Sequence, residues 1–236
     1  LQKIGREGSK GFYSGEVAED MIETISKKGG IMTLSDLSDY ESIWREPVKF
    51  KYKDYDIISM SFPSSGGILL GQMMKAIEKF DLSKIPHNSA EYIQLLTEIE
   101  RRAFADRSDL MGDPDFMNLP VYEFMDEEYI EERMKSFSWE EATPSSEIKP
   151  GEVIFNESDE TTHFSIIDKS GNAVSVTTTL NNSFGSKVYV ENSGFFLNNE
   201  MDDFSSKPGF PNFFGVLGSE ANSIQPGKRM LSAMTP

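Results

Sequence analysis

The chain has 236 residues, enough for one domain of ordinary size with its own hydrophobic core. Its 39 acidic and 23 basic residues give a net charge of −16, which argues against nucleic acid or an anionic membrane as a partner. The absence of cysteine excludes disulfides and cysteine nucleophiles, and no apolar run reaches the ~18 residues of a membrane span.

The first 160 residues are predicted to be mainly helical. Apolar spacing and capping residues predict helices after Ser14, from about 68 to 80, from about 89 to 112 and from 126 to 134, with strands over 48–52 and 55–60. The third helix carries many charges, which we interpret as a solvated face with local ion pairs. Those charged residues are Glu98, Glu100, Arg101, Arg102, Asp106, Arg107 and Asp109.

A polar, proline-bearing stretch from 143 to 160 is predicted to be an exposed linker. Strand patterns follow it over 161–167, 173–180 and 194–197, with a turn at 168–172. Helices followed by a dense strand region favour an α+β layered fold.

The run Thr161-Thr162-His163-Phe164-Ser165 opens the first of these later strands. By itself it is typical of an ordinary strand. If the chain were cut before Thr161, however, the Thr161 hydroxyl would lie beside its own α-amine, which can serve as a general base. Thr177-Thr178-Thr179 on the neighbouring strand could then supply a hydroxyl that orients it, and Asn181 follows.

Two further groups suit recognition of an α-amino acid. Carboxylates and amides concentrate in Asn198-Asn199-Glu200-Met201-Asp202-Asp203, where they can bind an ammonium group, and Ser232 can donate to a carboxylate. His87 and His163 are interpreted as structural, because no set of residues has the spacing of metal ligands. We therefore predict no metal and no cofactor.

The longer strings around these residues resemble the γ-glutamyltranspeptidase (γ-glutamyltransferase, glutathione hydrolase) family, of the N-terminal-nucleophile hydrolase superfamily. They are P-S-S-G-G, A-D-R-S-D-L-M-G-D-P-D-F, T-T-H-F-S, T-T-T-L-N-N-S-F-G, G-F-F-L-N-N-E-M-D-D-F-S and P-G-K-R-M-L-S-A-M-T-P. The resemblance covers essentially the whole chain, which corresponds to the middle of a complete family member.

The resemblance implies part of a four-layer α/β/β/α sandwich and a precursor that cuts itself at Glu160-Thr161. Residues 1–160 would be the C-terminal part of the large subunit and 161–236 the N-terminal part of the small, catalytic subunit, together one structural domain with the subunits paired after cleavage. Thr161 would attack glutathione or another γ-glutamyl compound and form a γ-glutamyl-enzyme. Water, an acceptor amino acid or a peptide would then release the γ-glutamyl group.

The resemblance also assigns roles in the site. Thr179 is expected to hydrogen-bond the nucleophile. Asn181, Glu200 and Asp203 are expected to hold the α-amino and α-carboxylate groups of the substrate, and Ser232 to bind the α-carboxylate.

Two positions depart from the family pattern. The usual second serine is Ala233, which removes a carboxylate donor. Residues 208–219 resemble the family's lid loop, but Phe214 stands where some members have tyrosine. The chain also begins after the family's carboxylate-binding arginine and stops before its oxyanion-hole glycines, so we expect it to be inactive alone.

Two alternatives stay open. One is a related acylase or a poly-γ-glutamate hydrolase, and the other is an uncleaved, non-catalytic binding protein. The family resemblance implies a periplasmic or secreted location.

Overall fold

The computed structural model describes residues 1–149, 161–213, 215 and 217–236. Glu160, at the predicted cleavage site, and Phe214, in the predicted lid loop, lie outside these residues. By their internal contacts the residues form two compact units, the first made of 1–45 with 179–199 and the second of 46–178 with 200–236.

Both units contain helices and strands, numbered here in chain order over the described residues. The α-helices are α1 Gln2–Glu7, α2 Lys10–Tyr13, α3 Gly15–Lys27, α4 Leu34–Ser38, α5 Gly66–Ile77, α6 Ala90–Leu110 and α7 Glu127–Met134. The strands are β1 Val48–Tyr52, β2 Tyr55–Ser59, β3 Thr161–Ile167, β4 Ala173–Thr179, β5 Tyr189–Val190 and β6 Phe195–Phe196. Short 3-10 helices lie at Leu82–Lys84, Glu123–Met125, Ser145–Glu147, Glu200–Asp203 and Glu220–Asn222.

These strands form three two-stranded sheets, β1–β2, β3–β4 and β5–β6. The predicted turn between β3 and β4 is present. The Asp168 carboxylate accepts the N–H groups of Ser170 and Asn172, both at 2.8 Å, and Gly171 adopts a φ of 84° that favours glycine. The α+β class predicted from the sequence is confirmed.

In the first unit, α3 packs its apolar face on a small core that also receives β5. Ala18, Met21, Leu37 and Val190 are the buried members. The sequence predicted α3 and the strand at β6, but not α1, α2 or β5. These three elements are only two to six residues long, too short for a periodic pattern to be recognised.

In the second unit, α5 and α6 carry most of the core. Ser89 caps α6 by accepting the N–H of Tyr92 at 3.2 Å. A larger cluster includes Phe62, Ile68 and Leu69, and it reaches Leu231 near the end of the chain. No described helix is both long enough and apolar enough to cross a membrane.

The charged face of α6 is largely buried, so the prediction of a solvated face is wrong. Glu98 and Arg102 are each 2% exposed. Arg102 forms an ion pair with Glu98 and donates to Ser136 Oγ at 2.7 Å and to Thr143 Oγ1 at 3.1 Å. Burial of these charges is tolerated because each has a charged partner and further hydrogen bonds.

Asp106, one turn further along α6, is fully buried and continues this face. It pairs with Arg133 at 3.1 Å and accepts a hydrogen bond from Gln72 Nε2 at 2.5 Å. Burial raises the pKa of Asp106, and the positive charge of Arg133 acts in the opposite direction.

We predict that Arg102→Met lowers the free energy of unfolding by about 3 kcal/mol, because it leaves the Glu98 charge buried without its main partner. Urea unfolding followed by circular dichroism measures the change. Lys135→Met is the control, since Lys135 and Glu132 form an exposed pair worth less than about 0.5 kcal/mol. Equal losses in the two variants would contradict the prediction.

Candidate active site

Thr161 is the first residue of β3, and its side chain is exposed. Because strand side chains alternate between faces, Thr161, His163 and Ser165 lie on the same face of β3. The predicted cleavage position therefore falls where a regular strand begins.

His163 is held by hydroxyl groups of the β3–β4 hairpin. Its Nδ1 lies 2.8 Å from Thr177 Oγ1, and its Nε2 lies 3.2 Å from Ser165 Oγ and 3.3 Å from Ser175 Oγ. These contacts bind the two strands together, which agrees with the structural interpretation of His163. Among the described residues, no group of three or more histidine, aspartate or glutamate side chains could hold a metal ion.

Thr179 and Asn181 belong to the first unit, and a single hydrogen bond joins them. Thr179 Oγ1 accepts the N–H of Asn181 at 2.9 Å. This bond occupies a lone pair of the hydroxyl and leaves its hydrogen able to donate. A hydroxyl that orients a nucleophile by donating a hydrogen bond to it needs that hydrogen.

Asn181 is buried in an unusual backbone conformation. Its φ of 76° lies in the left-handed region, which asparagine tolerates better than most residues. The Asn181 amide donates to the Asn199 carbonyl at 3.3 Å, and the Asn199 amide oxygen accepts the N–H of Asn182 at 3.0 Å. The segment is thus fixed by its own polar side chains.

Glu200 and Asp203 lie at the two ends of one 3-10 helix in the second unit. Burial, assisted by the negative charge of Asp203, raises the pKa of Glu200 to about 7. Two close carboxylates that are partly removed from water disfavour their own ionisation, and a cation placed between them restores it. The pair is therefore suited to an ammonium group.

Ser232 lies in the second unit as well and is 8% exposed. Its Oγ accepts the N–H of Met234 at 3.1 Å, which leaves the hydroxyl hydrogen to donate to an anion. Its backbone N–H donates to the Pro63 carbonyl at 3.0 Å, and its carbonyl accepts the N–H and the Oγ of Ser65, each at 2.9 Å.

Gly66 allows this close approach of two chain segments. A Cβ atom at Gly66 would lie 2.6 Å from the Ala233 carbonyl oxygen and 2.5 Å from that of Met234. Only glycine fits there, which gives the P-S-S-G-G string a physical role as the platform for the Ser232 segment.

Asn222 joins the acidic pair to the Ser232 segment within the second unit. Its Oδ1 accepts the N–H of Leu231 at 3.0 Å, and its Nδ2 donates to the backbone carbonyl of Asp203 at 2.7 Å. One buried amide thus fixes the acidic pair relative to the Ser232 segment. Asn222 was not among the predicted site residues, because a lone asparagine forms no recognisable pattern.

The described residues of the predicted lid loop, 208–213, 215 and 217–219, contact one another and the 3-10 helix Glu200–Asp203. The Gly209 N–H donates to the Gly218 carbonyl at 3.0 Å, and the Asp202 carboxylate accepts the N–H of Phe213 at 2.9 Å. Asp203 lines a small pocket with Asn212 of this loop, and Arg107, Asn222 and Leu231 also contribute to its wall.

Comparison with known proteins gives this arrangement a context. A family profile described as Gamma-glutamyltranspeptidase matches residues 1–236. The glutathione hydrolase proenzyme of Pseudomonas aeruginosa is 46% identical over 238 residues, and that of Escherichia coli is 43% identical over 236. Both alignments cover 100% of this chain but only 42% and 41% of the relatives, so the chain spans about two fifths of their length.

Solved structures of this family and of a related acylase also match the chain. The γ-glutamyltranspeptidase of Helicobacter pylori matches with a TM-score of 0.60 at 41% identity, over 67% of this chain and 45% of that one. A cephalosporin acylase from Bacillus halodurans matches with a TM-score of 0.76 over 99% of this chain and 39% of its own, and at 23% identity it shows the fold alone.

The predicted N-terminal-nucleophile hydrolase fold is therefore confirmed. Because the family profile extends from the first residue to the last, the chain belongs to the gamma-glutamyltranspeptidase family.

Proposed function

We propose that a full-length protein containing this chain is a γ-glutamyltransferase and glutathione hydrolase. It cuts itself between Glu160 and Thr161, and Thr161 becomes the N-terminal nucleophile. The Thr161 Oγ attacks the γ-carbonyl of glutathione or another γ-glutamyl compound, and the C–N bond breaks as the amine takes up a proton. Water or the amine of an acceptor amino acid or peptide then cleaves the resulting ester and regenerates the hydroxyl.

The observation that carries the proposal is the acidic pair joined to the Ser232 segment. Glu200 and Asp203 suit an α-ammonium, Ser232 presents a hydroxyl hydrogen suited to an α-carboxylate, and Asn222 links both by hydrogen bonds of 2.7 and 3.0 Å. A γ-glutamyl group carries both of these charges on its Cα. A ligand that lacks the ammonium loses its attraction to these two half-buried carboxylates and therefore binds less well.

The base chemistry is also consistent. A threonine hydroxyl is a poor nucleophile near neutral pH, whereas an α-amine has an ordinary pKa of about 7.7–8.0 and can accept its proton. Since His163 is bound by hairpin hydroxyls, the freed amine of Thr161 is the base that we assign. Thr179 supplies the orienting hydroxyl, and Asn181 joins Glu200 and Asp203 in substrate binding.

Family membership supports the remaining features of the proposal. The two chains produced by the cut stay paired as large and small subunits, with the boundary after residue 160. The acceptors are amino acids or short peptides, and the location is periplasmic or secreted.

The first prediction of this proposal concerns the cut itself. A full-length protein with Thr161→Ala stays as one band on a denaturing gel and loses at least about 1,000-fold in γ-glutamyl-p-nitroanilide turnover, because both reactions use the same hydroxyl. Thr161→Ser keeps a hydroxyl and is expected to retain both reactions at reduced rates.

The same gel separates the alternatives. Two wild-type bands, with the smaller beginning at Thr161, support the proposal, and a single uncut chain supports the non-catalytic binding protein. Cleavage without turnover of any γ-glutamyl substrate supports an acylase. Normal cleavage of the Thr161→Ala protein would overturn the assignment of Thr161.

A second prediction uses the raised pKa of Glu200. Below about pH 7 the side chain is neutral, and above it the carboxylate attracts the substrate ammonium. The inhibition constant of L-glutamate is therefore expected to fall about tenfold between pH 6 and pH 8, which is the ratio of the ionised fractions. Glu200→Gln should remove this pH dependence.

The control for that experiment is Glu147→Gln, an exposed glutamate in another 3-10 helix. It should leave the pH profile unchanged. A wild-type inhibition constant that stays flat over this range would contradict the role given to Glu200.

A third prediction concerns Ala233, where the family usually has serine. The Ala233 side chain is exposed, so an added hydroxyl has room. Ala233→Ser is expected to tighten L-glutamate binding about 3- to 10-fold by adding one donor to the α-carboxylate. Binding of 4-aminobutanoate, which lacks that carboxylate, should not change, and equal tightening of both ligands would refute the prediction.

A further inference from the structure

Arg107 is a buried cation near the C-terminal end of α6, 9% exposed. Its Nε donates to Ser65 Oγ at 3.1 Å, and its Nη2 donates to the backbone carbonyl of Leu231 at 3.1 Å. Burying a guanidinium is costly. Because its planar array of N–H donors points at a hydroxyl and at a backbone carbonyl, we ask what these two hydrogen bonds contribute.

Ser65 links Arg107 to the Ser232 segment by hydrogen bonds. It is completely buried, and its hydroxyl accepts from Arg107 while it donates to the Ser232 carbonyl at 2.9 Å. A hydroxyl that accepts from a cation is polarised and becomes a stronger donor. The Ser65 N–H donates to the same carbonyl, so two donors of one residue fix the peptide group that follows Ser232.

The second branch of the fork fixes the other side of Ser232. Arg107 holds the carbonyl of Leu231, and the N–H of Leu231 is bound to Asn222. Asn222 in turn donates to the Asp203 carbonyl. Hydrogen bonds therefore run from one guanidinium towards both the Ser232 hydroxyl and the acidic pair.

We propose that Arg107 and Ser65 are positioning residues for recognition of the substrate α-carboxylate, acting through the backbone on either side of Ser232. The inference rests on the proposed function, since it assigns them to the same γ-glutamyl site. Both precede Thr161 in the chain, so the predicted large subunit shapes a binding segment of the predicted small subunit. Their contribution lies in geometry rather than in charge.

The test is direct binding to the full-length protein, measured by isothermal titration calorimetry. L-Glutamate carries both α-groups, 4-aminobutanoate keeps the amine and lacks the α-carboxylate, and the ratio of their dissociation constants reports carboxylate recognition. Ser65→Ala is expected to weaken L-glutamate binding about 5- to 10-fold and 4-aminobutanoate binding less than about 2-fold.

Arg107→Lys separates geometry from charge. Lysine keeps the positive charge but has a single ammonium in place of the planar fork. We expect it to weaken L-glutamate binding about 10-fold or more, again with little effect on 4-aminobutanoate. With γ-glutamyl-p-nitroanilide, both variants should raise KM by similar factors and leave kcat within about 2-fold.

Ser14→Ala is the matched control, because the Ser14 hydroxyl donates to the carbonyl of Lys10, four residues earlier, at 2.9 Å, and Ser14 does not line the pocket that contains Asp203 and Arg107. It should leave both dissociation constants unchanged. If Arg107→Lys does not fold, as judged by its thermal midpoint, the milder Ser65→Ala decides alone.

Three results would overturn the inference. They are an unchanged ratio in Ser65→Ala, equal weakening of both ligands, and full retention of L-glutamate binding in Arg107→Lys. If the wild-type protein binds L-glutamate but turns over no γ-glutamyl substrate, the proposed function fails while the positioning role is still decided by the ratio. A wild-type protein that binds neither ligand overturns both.

Discussion

The second unit depends on one close contact, between the end of the chain and the turn that precedes α5. The Ser232 N–H and carbonyl bond Pro63 and Ser65, and Ser64 Oγ donates to the Met234 carbonyl at 2.7 Å. The absence of a side chain at Gly66 lets the two backbones approach this closely. Leu231, the residue before Ser232, belongs to the main hydrophobic cluster. The same segment is therefore held both by burial of an apolar side chain and by backbone hydrogen bonds.

The polar interior of α6 follows from the same need for fixed geometry. A helix that buried only leucine and isoleucine would pack as well, and exchanging a buried ion pair for apolar groups is often neutral or stabilising. The buried charges of α6 do something that apolar groups cannot, because they direct hydrogen bonds at chosen atoms. Arg102 binds Thr143 and Ser136, and Arg107 binds Ser65 and the Leu231 carbonyl.

The sequence predicted the helices, strands and turns that have a regular local pattern, and it missed features that depend on residues distant in the chain. The bounds of β1, α6 and α7, and the turn at 168–172, follow from local spacing, capping and turn chemistry, which act within a few residues. The burial of Glu98, Arg102 and Asp106 had a local signal as well, since their i, i+4 spacing puts all three on one helix face. Whether that face is exposed to solvent or buried against protein depends on tertiary packing, and the many charged residues led to the wrong prediction of a solvated face.

The candidate site shows the same division. Glu200, Asp203 and Ser232 were predicted, because the sequence places carboxylates or a hydroxyl in strings that match the family. Asn222, Ser65 and Arg107 were not, because they act on backbone groups that lie 9 to 167 positions away in the chain. Ser65 and Arg107 do lie in two of the strings that carry the resemblance, P-S-S-G-G and A-D-R-S-D-L-M-G-D-P-D-F. Because carbonyl and N–H groups belong to every residue, those strings do not indicate which backbone groups the two side chains bind.

Cutting the chain before Thr161 would remove one covalent bond and none of these contacts. Ser65 and Arg107 lie before that bond, and Asn222, Leu231 and Ser232 lie after it. Hydrogen bonds between buried groups resist separation, because parting the two pieces would expose Leu231, take the Leu231 carbonyl from Arg107 and take the Ser232 carbonyl from Ser65. The contacts proposed to shape the carboxylate site are thus also contacts between the two pieces, so a cut before Thr161 would free its amine without releasing the Ser232 segment.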